Sequence, residues 1–208
     1  MTTDTQRPAP LEGKDPEKRA RILDAARSIL RAKRYDDVPV SEITELAGIA
    51  KGTFYLYFPS KADLIAALAE TIHEHIMANI VSALQTPRSM AEMLEVMIRT
   101  AFMSLLEQRD LMNILELDLL LRHPFKTYDS HHDARRAAMV RMFEAGQISG
   151  EIDPSVNAHV AAELVGGMMI PLARVFIFGA SDVDKEAYLS ETIAFIQRGL
   201  GVTRAQAN

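Results

Sequence analysis

Residues 51–58 of this 208-residue chain read Lys-Gly-Thr-Phe-Tyr-Leu-Tyr-Phe. Phe54 and Phe58 are four residues apart, so on a helix their two rings share one face. The rest of that helix surface then presents a cation and several hydroxyls, from Lys51, Thr53, Tyr55 and Tyr57. A helix that is anchored by two rings and polar elsewhere is suited to an anionic partner, which we predict to be the DNA backbone.

The residues before this stretch predict two further helices. Asp15-Pro16 supplies an N-cap and a proline at the first helical position, and apolar residues at helical spacing extend that helix over 16–33. A second, short helix covers residues 40–47 and closes at Gly48. Two short helices that are joined by a tight turn and braced by a longer helix describe a helix-turn-helix. An ordinary helical corner is the alternative, and the content of residues 51–57 favours the helix-turn-helix.

The net charge of −5 is unevenly distributed along the chain. Residues 1–61 carry 11 Lys and Arg against 9 Asp and Glu, whereas residues 62–208 carry 12 against 19. The segment 14–34 alone holds eight cations and three anions. A locally basic N-terminal region on an acidic body fits DNA contact at one end of the chain, although a solvated helix face gives the same pattern.

Beyond residue 60 the periodicity indicates helices and no strand, so the expected fold class is all-α. Ser60 is expected to cap the first of these helices. Residues 146–150, Gly-Gln-Ile-Ser-Gly, are expected to end one helix, and Asp153-Pro154 to begin the next. The predicted helices cover 61–84, 90–109, 111–121, 126–145, 154–178 and 184–200. The predicted domains are a flexible tail (1–14), a helix-turn-helix DNA-binding domain (15–62) and a helical ligand-binding and dimerisation domain (63–208).

Composition and residue spacing argue against several function classes. The chain has no cysteine, which rules out disulfides, thiolate metal sites and cysteine nucleophiles. It shows no Gly-rich phosphate loop, nucleophile elbow or His-x3-His spacing, so we predict that it is not an enzyme and needs no cofactor or metal. No secretory signal is expected, and no apolar run approaches the ~20 residues that span a bilayer. The expected location is therefore the cytoplasm.

Residues 16–65 resemble the N-terminal DNA-binding region of the TetR (tetracycline-repressor-like) family of transcriptional regulators. The matching residues are Ile22, Ala25-Ala26, Leu30, Ile43, Leu46 to Ile49, the stretch 51–58, Ser60-Lys61 and Leu64. The remaining two thirds resemble the family in helical plan only, apart from residues 150–154, which look like its usual entry to the dimerisation helices. The resemblance implies an all-α regulator with an N-terminal helix-turn-helix and a C-terminal ligand-binding domain.

The resemblance also implies roles for particular residues. Lys51, Thr53 and Tyr57 match family positions that meet phosphates or base edges. Tyr55 matches a position that both packs and reaches DNA. The resemblance implies two further DNA-contacting positions. Lys61, at the start of the fourth helix, matches a phosphate-binding lysine, and Gly52 is a small residue that lets the third helix approach the duplex.

The start of the second helix departs from the family pattern. The family has Thr or Ser there, with a hydroxyl that caps the helix and meets a phosphate, whereas this chain has Val38-Pro39-Val40. Pro39 suits a helix start but has no donor. Ser41 is expected to substitute from one position further in. Because few contact side chains can make bidentate base contacts, phosphates are expected to supply much of the affinity, with a strong salt dependence.

Methionine is abundant in the second domain, and Met is suited to adaptable apolar pockets as well as to ordinary core packing. The resemblance strengthens the pocket reading, since the family mostly senses small apolar or cationic molecules there. Glu116 and Asp118 are candidates to neutralise a cation, or to pair with Arg99 or Arg122. The predicted ligand-binding residues are Met93, Met97, Phe102, Asn113, Glu116, Met139, Phe143 and Met168.

The helices over 154–178 and 184–200 are predicted to form the interface of a homodimer. The first carries Gly166-Gly167, which allow another helix to approach, and Pro171, which predicts a kink. The second carries a stripe of apolar residues at 189, 193, 196 and 200. Closure of the monomer's own core is the alternative for both helices.

The sequence thus predicts a homodimeric, ligand-responsive transcriptional regulator, most simply a repressor that binds a palindromic operator and is released by a small apolar or cationic molecule. The helix over 61–84 would belong to both domains and transmit the ligand signal. The alternative is a helical small-molecule-binding or scaffold protein without operator binding.

Overall fold

The computed structural model describes residues 15–86, 89–112, 114, 130–179 and 184–202, with the side chains of 130–133 excepted. The predicted tail, residues 1–14, lies outside this part of the chain. The described residues form helices and no strand, so the all-α prediction is confirmed. They divide into two compact units, the first ending at Leu68 and the second beginning at Ala69.

The first unit is built from α1 (Pro16–Leu30), α2 (Val40–Leu46), α3 (Lys51–Tyr57) and the first turns of α4 (Lys61–Ala83). The carboxylate of Asp15 accepts the N–H groups of Glu17 and Lys18 at 2.9 and 3.4 Å, so the predicted cap is confirmed. α1 ends three residues before the predicted position, because the N–H groups of Ala32 and Lys33 both turn to the Ile29 carbonyl.

The connections around α2 set the direction of α3. A short 3-10 helix (Tyr35–Asp37) follows α1, and Pro39 occupies the N-cap position of α2. Gly48 adopts a φ of 65°, a left-handed conformation that glycine tolerates best, and it ends α2 as predicted. Only Ile49 and Ala50 then separate it from α3, so α2 and α3 form the tight pair expected of a helix-turn-helix.

α4 begins where the Ser60 hydroxyl accepts the Asp63 N–H at 3.2 Å, as predicted. Its predicted apolar stripe is buried throughout its length, at Leu64, Leu68, Ile72, Ile76 and Ile80. The boundary between the two units falls within this helix, after Leu68.

The second unit contains the rest of α4, α5 (Met90–Glu107), a 3-10 helix (Arg109–Leu111), α6 (Ser130–Ile148), α7 (Ala158–Phe178) and α8 (Lys185–Gly199). Helix α6 packs on α7, and α5 packs on both α7 and α8. A capping box starts α5, in which Ser89 and Glu92 bond each other's backbone N–H groups. Most of the helix predicted over 111–121 lies outside the described residues.

Two predicted helix boundaries in the second unit are wrong. α6 continues to Ile148, past the predicted bound at residue 145, and Gly146 lies inside it, where an added Cβ would meet Ile152 and Met90 at 2.8 and 2.9 Å. The chain leaves the helix at Gly150, the last residue of the predicted stop, with a φ of 79°. Asp153 caps a turn by accepting the Ser155 N–H, and α7 begins only after Asn157, whose side chain accepts the Val160 N–H at 3.1 Å.

The apolar stripe predicted for the dimer contact of α8 closes the core of its own unit instead. Its members Leu189, Ile193, Ile196 and Leu200 are at most 5% exposed. The stripe therefore follows the alternative reading, in which the helix seals the monomer. Helix α7 continues through Pro171 to Phe178, and the kink at that proline stays a prediction.

Helix α7 is also predominantly apolar. Among the described residues it is the one helix long and apolar enough to cross a membrane by length and composition, which corrects the expectation that no segment approaches this limit. The signal is weak, because core and interface helices of globular proteins share it. Only 22% of its most apolar window is buried within the monomer, so α7 presents apolar surface that nothing in the described chain covers.

Candidate DNA-binding site

Helix α3 presents two chemically distinct faces. Phe54 and Tyr57 are buried on the inner face, and Phe58 is buried just after the helix ends. The outer face exposes Lys51, Gly52, Tyr55 and Leu56, with Thr53 half-exposed beside them. We call these five outward residues the α3 face.

Aromatic contacts hold the inner side of α3 in place. The Phe54 and Phe58 rings lie 5.8 Å apart, and the Tyr55 ring meets the Phe54 edge at 5.3 Å. The guanidinium of Arg19, from α1, lies 5.6 Å from the centre of the Phe58 ring. The prediction that the two phenylalanines anchor the helix is confirmed. The Tyr55 ring packs against Phe54, although 47% of the residue stays exposed.

The expected exposure of Tyr57 is wrong. The residue is only 9% exposed, because it follows the anchor Phe54 by three positions and so shares the inner side of the helix. The same geometry places Leu56 outside, at 63% exposed. Sequence reasoning gave Leu56 no role, because it considered only the polar and cationic side chains of the helix as contacts. The spacing from Phe54, at 100° per residue, was the signal that would have found it.

Lys61 makes contacts that the sequence did not predict. Its ammonium donates to the carbonyl oxygens of Tyr35 and Val38, at 2.6 and 2.9 Å, and lies 4.0 Å from the centre of the Tyr35 ring. These bonds go to the first residue and the C-cap of the 3-10 helix, and they tie the first residue of α4 to the entrance of α2. Lys61 therefore has a structural role, and one of its three N–H bonds remains for the predicted phosphate.

Tyr35 stays neutral under physiological conditions. Burial, and to a smaller degree the neighbouring Asp36 carboxylate, raise the pKa of its hydroxyl. The ring thus offers Lys61 a neutral aromatic face, and a cation over such a face is attracted by its quadrupole.

Ser41 lies on the exposed side of α2, at the second position of the helix. No side chain caps this helix, so the predicted capping by Ser41 is wrong. Its carbonyl accepts the Thr44 hydroxyl at 2.9 Å, and Lys33 pairs with Glu42 at 2.7 Å to fasten the same helix to the end of α1. A phosphate contact by the Ser41 hydroxyl stays a prediction.

The predicted ligand-binding residues are distributed between core and half-exposed positions. Phe102 and Phe143 are fully buried, and Phe102 packs edge-on against Phe176 at 5.4 Å. Half-exposed positions are occupied by Met93, Met97, Met139 and Met168. Asn113 and Glu116 lie outside the described residues, as do Asp118 and Arg122.

None of the six predicted ligand residues that the structure describes lines either of two surface pockets of the second unit. One, of about 240 Å³, lies between α4 and α5 and includes Asn79, Arg99 and Ser104. The other, of about 220 Å³, includes Arg136, Arg141 and His159. Arg99 pairs with Glu186 at 2.8 Å and with Glu95 at 3.5 Å, which raises the pKa of the guanidinium. The predicted apolar pocket therefore stays a prediction.

Within the described residues, no group of three or more His, Asp or Glu side chains is arranged to hold a metal ion. The chemistry that the described site offers is therefore surface recognition. A short helix, held from behind by rings, presents one cation, hydroxyls, a glycine and a leucine.

Known proteins share this sequence pattern and this architecture. The sequence model described as "Bacterial regulatory proteins, tetR family" matches residues 22–68. The uncharacterized HTH-type transcriptional regulator YvdT of Bacillus subtilis is 26% identical over 182 residues, which cover 87% of this chain and 94% of that protein.

Solved structures share the fold across both units. A TetR-family regulator from Shewanella sp. PV-4 superposes with a TM-score of 0.71 at 18% identity, covering 90% of this chain and 99% of the other. The transcriptional regulator FadR from Bacillus subtilis, solved in complex with stearoyl-CoA, superposes with a TM-score of 0.69 at 22% identity, covering 86% and 98%.

The fold and the site define a helix-turn-helix transcriptional regulator. The match of residues 22–68 to the TetR family model, the curated relatives and the solved structures together support a TetR-family transcriptional regulator. The resemblance drawn from residues 16–65 is therefore confirmed. The TetR family consists of DNA-binding regulators and not of enzymes.

Proposed function

We propose that this chain is a cytoplasmic, homodimeric transcriptional repressor that binds a palindromic operator through the α3 face and is released by a small molecule. The observation that carries the DNA-binding part is the arrangement of α3 itself. Buried rings fix the helix from behind, and the opposite side presents a lysine, a tyrosine and a glycine to solvent.

Phosphate contacts supply most of the proposed affinity. The α3 face has no Arg, Asn or Gln, which leaves Lys51 as its one side chain of the types that make bidentate contacts with base edges. Lys51, Thr53, Tyr55 and the remaining donor of Lys61 are suited to phosphates, with Ser41 as a further candidate. Binding should therefore weaken steeply as salt rises.

A line of apolar residues along α7 supports the homodimer. We call this line the α7 face; it consists of Val160, Leu164, Gly167, Pro171, Val175 and Phe178. Successive members are four, three, four, four and three residues apart, which places them along one side of the helix. Its four large members are each 52–60% exposed, and Gly167 has open space where a Cβ would stand. Phe195 of α8, 61% exposed, adds apolar surface to the same unit.

A second copy of this chain is the proposed occupant of the α7 face. A two-fold contact buries the same apolar residues on both copies and brings two reading helices to one duplex. Two such helices read half-sites separated by about 10 base pairs or a multiple of that spacing, which is why the operator is proposed to be palindromic.

The proposed effector is a small apolar molecule, with a cationic one as the alternative, and fatty acyl-CoA is the first class to test. Support comes from the FadR structure, whose ligand is stearoyl-CoA and whose fold extends over both units of this chain. Binding would take place among α5, α6 and α7, where the predicted ligand-binding residues include Met93, Met139 and Met168.

Helix α4 is the proposed route between effector and DNA, since the boundary of the two units falls inside it. An effector that favours a conformation with wrongly spaced reading helices lowers DNA affinity. By linkage, DNA must lower effector affinity by the same factor.

The test is a gel shift on the DNA that flanks the chain's own gene. Wild type is expected to shift the fragment, and Lys51→Ala and Tyr55→Ala to weaken the shift. Arg141→Ala, which removes an exposed cation from the second unit, is the matched control and should bind like wild type. Stearoyl-CoA, stearate and free coenzyme A are then added separately.

Each arm of this experiment has a contrary outcome. A wild type that shifts none of the flanking DNA contradicts operator binding there and favours the binding-protein alternative. Equal weakening by Arg141→Ala would show nonspecific charge effects. If an added ligand binds tightly but leaves DNA affinity unchanged, that ligand is not the effector.

A further inference from the structure

Leu56 is the most exposed large apolar residue of the first unit's described part, at 63%. It lies on the α3 face, next to Tyr55 and on the side of the helix opposite Phe54. Single exposed leucines are common on protein surfaces, so exposure alone says little. Its position in the middle of the reading surface is what requires an explanation.

The chemistry of the major groove offers one. Base edges there present hydrogen-bond donors and acceptors, together with a single apolar group, the C5-methyl of thymine. A leucine side chain cannot donate to a phosphate or to a base. Within the groove it gains by covering a methyl group and by excluding water from it.

We infer that Leu56 is a specificity-determining residue that reads the C5-methyl group of a thymine in each operator half-site. The inference rests on the proposed function, in which the α3 face enters the major groove. Since that face lacks the amide and guanidinium groups of bidentate readout, an apolar contact becomes one of its few means of telling base pairs apart.

The test removes the methyl group from the DNA and the leucine from the protein. Duplexes that bind wild type are first selected from a random-sequence pool. Each thymine of the selected half-site is then replaced by uracil, which lacks only the methyl group. Affinities are measured for wild type, for Leu56→Ala and for the control Leu46→Ala, whose leucine lies on α2 and is 58% exposed.

Wild type is expected to lose roughly fourfold in affinity per half-site when one particular thymine becomes uracil, the value of about one buried methyl group. Leu56→Ala should bind the thymine and uracil duplexes equally, and Leu46→Ala should discriminate like wild type. Thermal melting of both variants close to that of wild type confirms that the comparison concerns folded proteins, since both side chains are exposed.

Four results overturn the inference. Wild type that tolerates uracil at every thymine reads no methyl group. A Leu56→Ala variant that still binds the thymine duplex more tightly than the uracil duplex shows that another residue reads the methyl group. A Leu46→Ala variant that no longer distinguishes the two duplexes shows that the methyl contact does not depend on Leu56 alone. A wild type that selects and binds no duplex removes the proposed function and this inference together, whereas the other results leave DNA binding intact.

Discussion

The α3 face and the α7 face are both exposed, and their compositions differ in kind. The α3 face mixes a lysine, a glycine, hydroxyl groups and one leucine, whereas the line along α7 carries no charge at all. A mixed face suits a partner with phosphates and base edges, and an uncharged apolar face suits a partner that buries it. The composition of an exposed helix face thus indicates which kind of partner covers it.

The largest expected effect separates the two sides of α3. Phe54→Ala removes a fully buried ring and should lower the free energy of unfolding by about 3–5 kcal/mol. Tyr55→Ala, one residue later on the α3 face, should leave thermal stability nearly unchanged while weakening DNA binding. Thermal melting followed by circular dichroism measures both. Equal destabilisation by the two changes would contradict the division of α3 into an inner and an outer side.

A charged substitution in the α7 face tests the proposal that a second copy of the chain covers this face. Leu164→Glu places a carboxylate where a second copy would bury it, and an unpaired buried charge costs about 3–5 kcal/mol, so the variant should sediment as a monomer. Val81→Glu, at a similarly exposed valine of α4, is the matched control and should remain dimeric. Analytical ultracentrifugation decides. A dimer that survives Leu164→Glu with unchanged affinity places the interface elsewhere.

Lys61 and Lys51 offer a matched pair of lysines with different roles. Lys61→Met removes two charged hydrogen bonds to the carbonyls of Tyr35 and Val38, and should destabilise the first unit by about 1.5–3 kcal/mol. The same change at the exposed Lys51 should leave the melting temperature unaltered. If Lys61→Met melts like wild type, the ammonium does not hold the entrance of α2, and its phosphate role becomes the principal one.

The smallest effect on stability is expected at Gly52. A Cβ there meets no atom within 4 Å, so Gly52→Ala should stabilise α3 by about 0.5–1 kcal/mol through helix propensity. DNA affinity should nevertheless fall, because the added methyl group occupies the surface that approaches the duplex. Chemical denaturation and gel shift measure the two quantities on one sample. Unchanged DNA affinity would mean that the duplex does not approach this position.

Much of the fold was readable in the sequence because single residues determine it. Asp15-Pro16 fixes the start of α1, Gly48 the end of α2, and the spacing of Phe54 and Phe58 the inner side of α3. The end of α6 and the start of α7 were misjudged because glycine and proline have several uses. Gly146 serves close packing against Met90 of α5, a contact between distant elements that local pattern cannot show.

The candidate site was less fully predictable than the fold. Tyr57 is buried where exposure was expected, and the exposed Leu56 was given no role, because residue type was given more weight than angular position on the helix. The Lys61 bonds depend on where the 3-10 helix places two carbonyls, which no motif encodes. On α8 the apolar stripe served the monomer's core, and the uncovered apolar surface lies on α7 instead.

The salt dependence of duplex binding tests the α3 assignment most directly. For wild type, the logarithm of the binding constant should fall steeply and linearly with the logarithm of salt concentration, and Lys51→Met should reduce the slope by about 1 for each protomer on the duplex. An identical slope for Lys51→Met and wild type, measured on the same fragment, would contradict the claim that the α3 face lies against the DNA backbone.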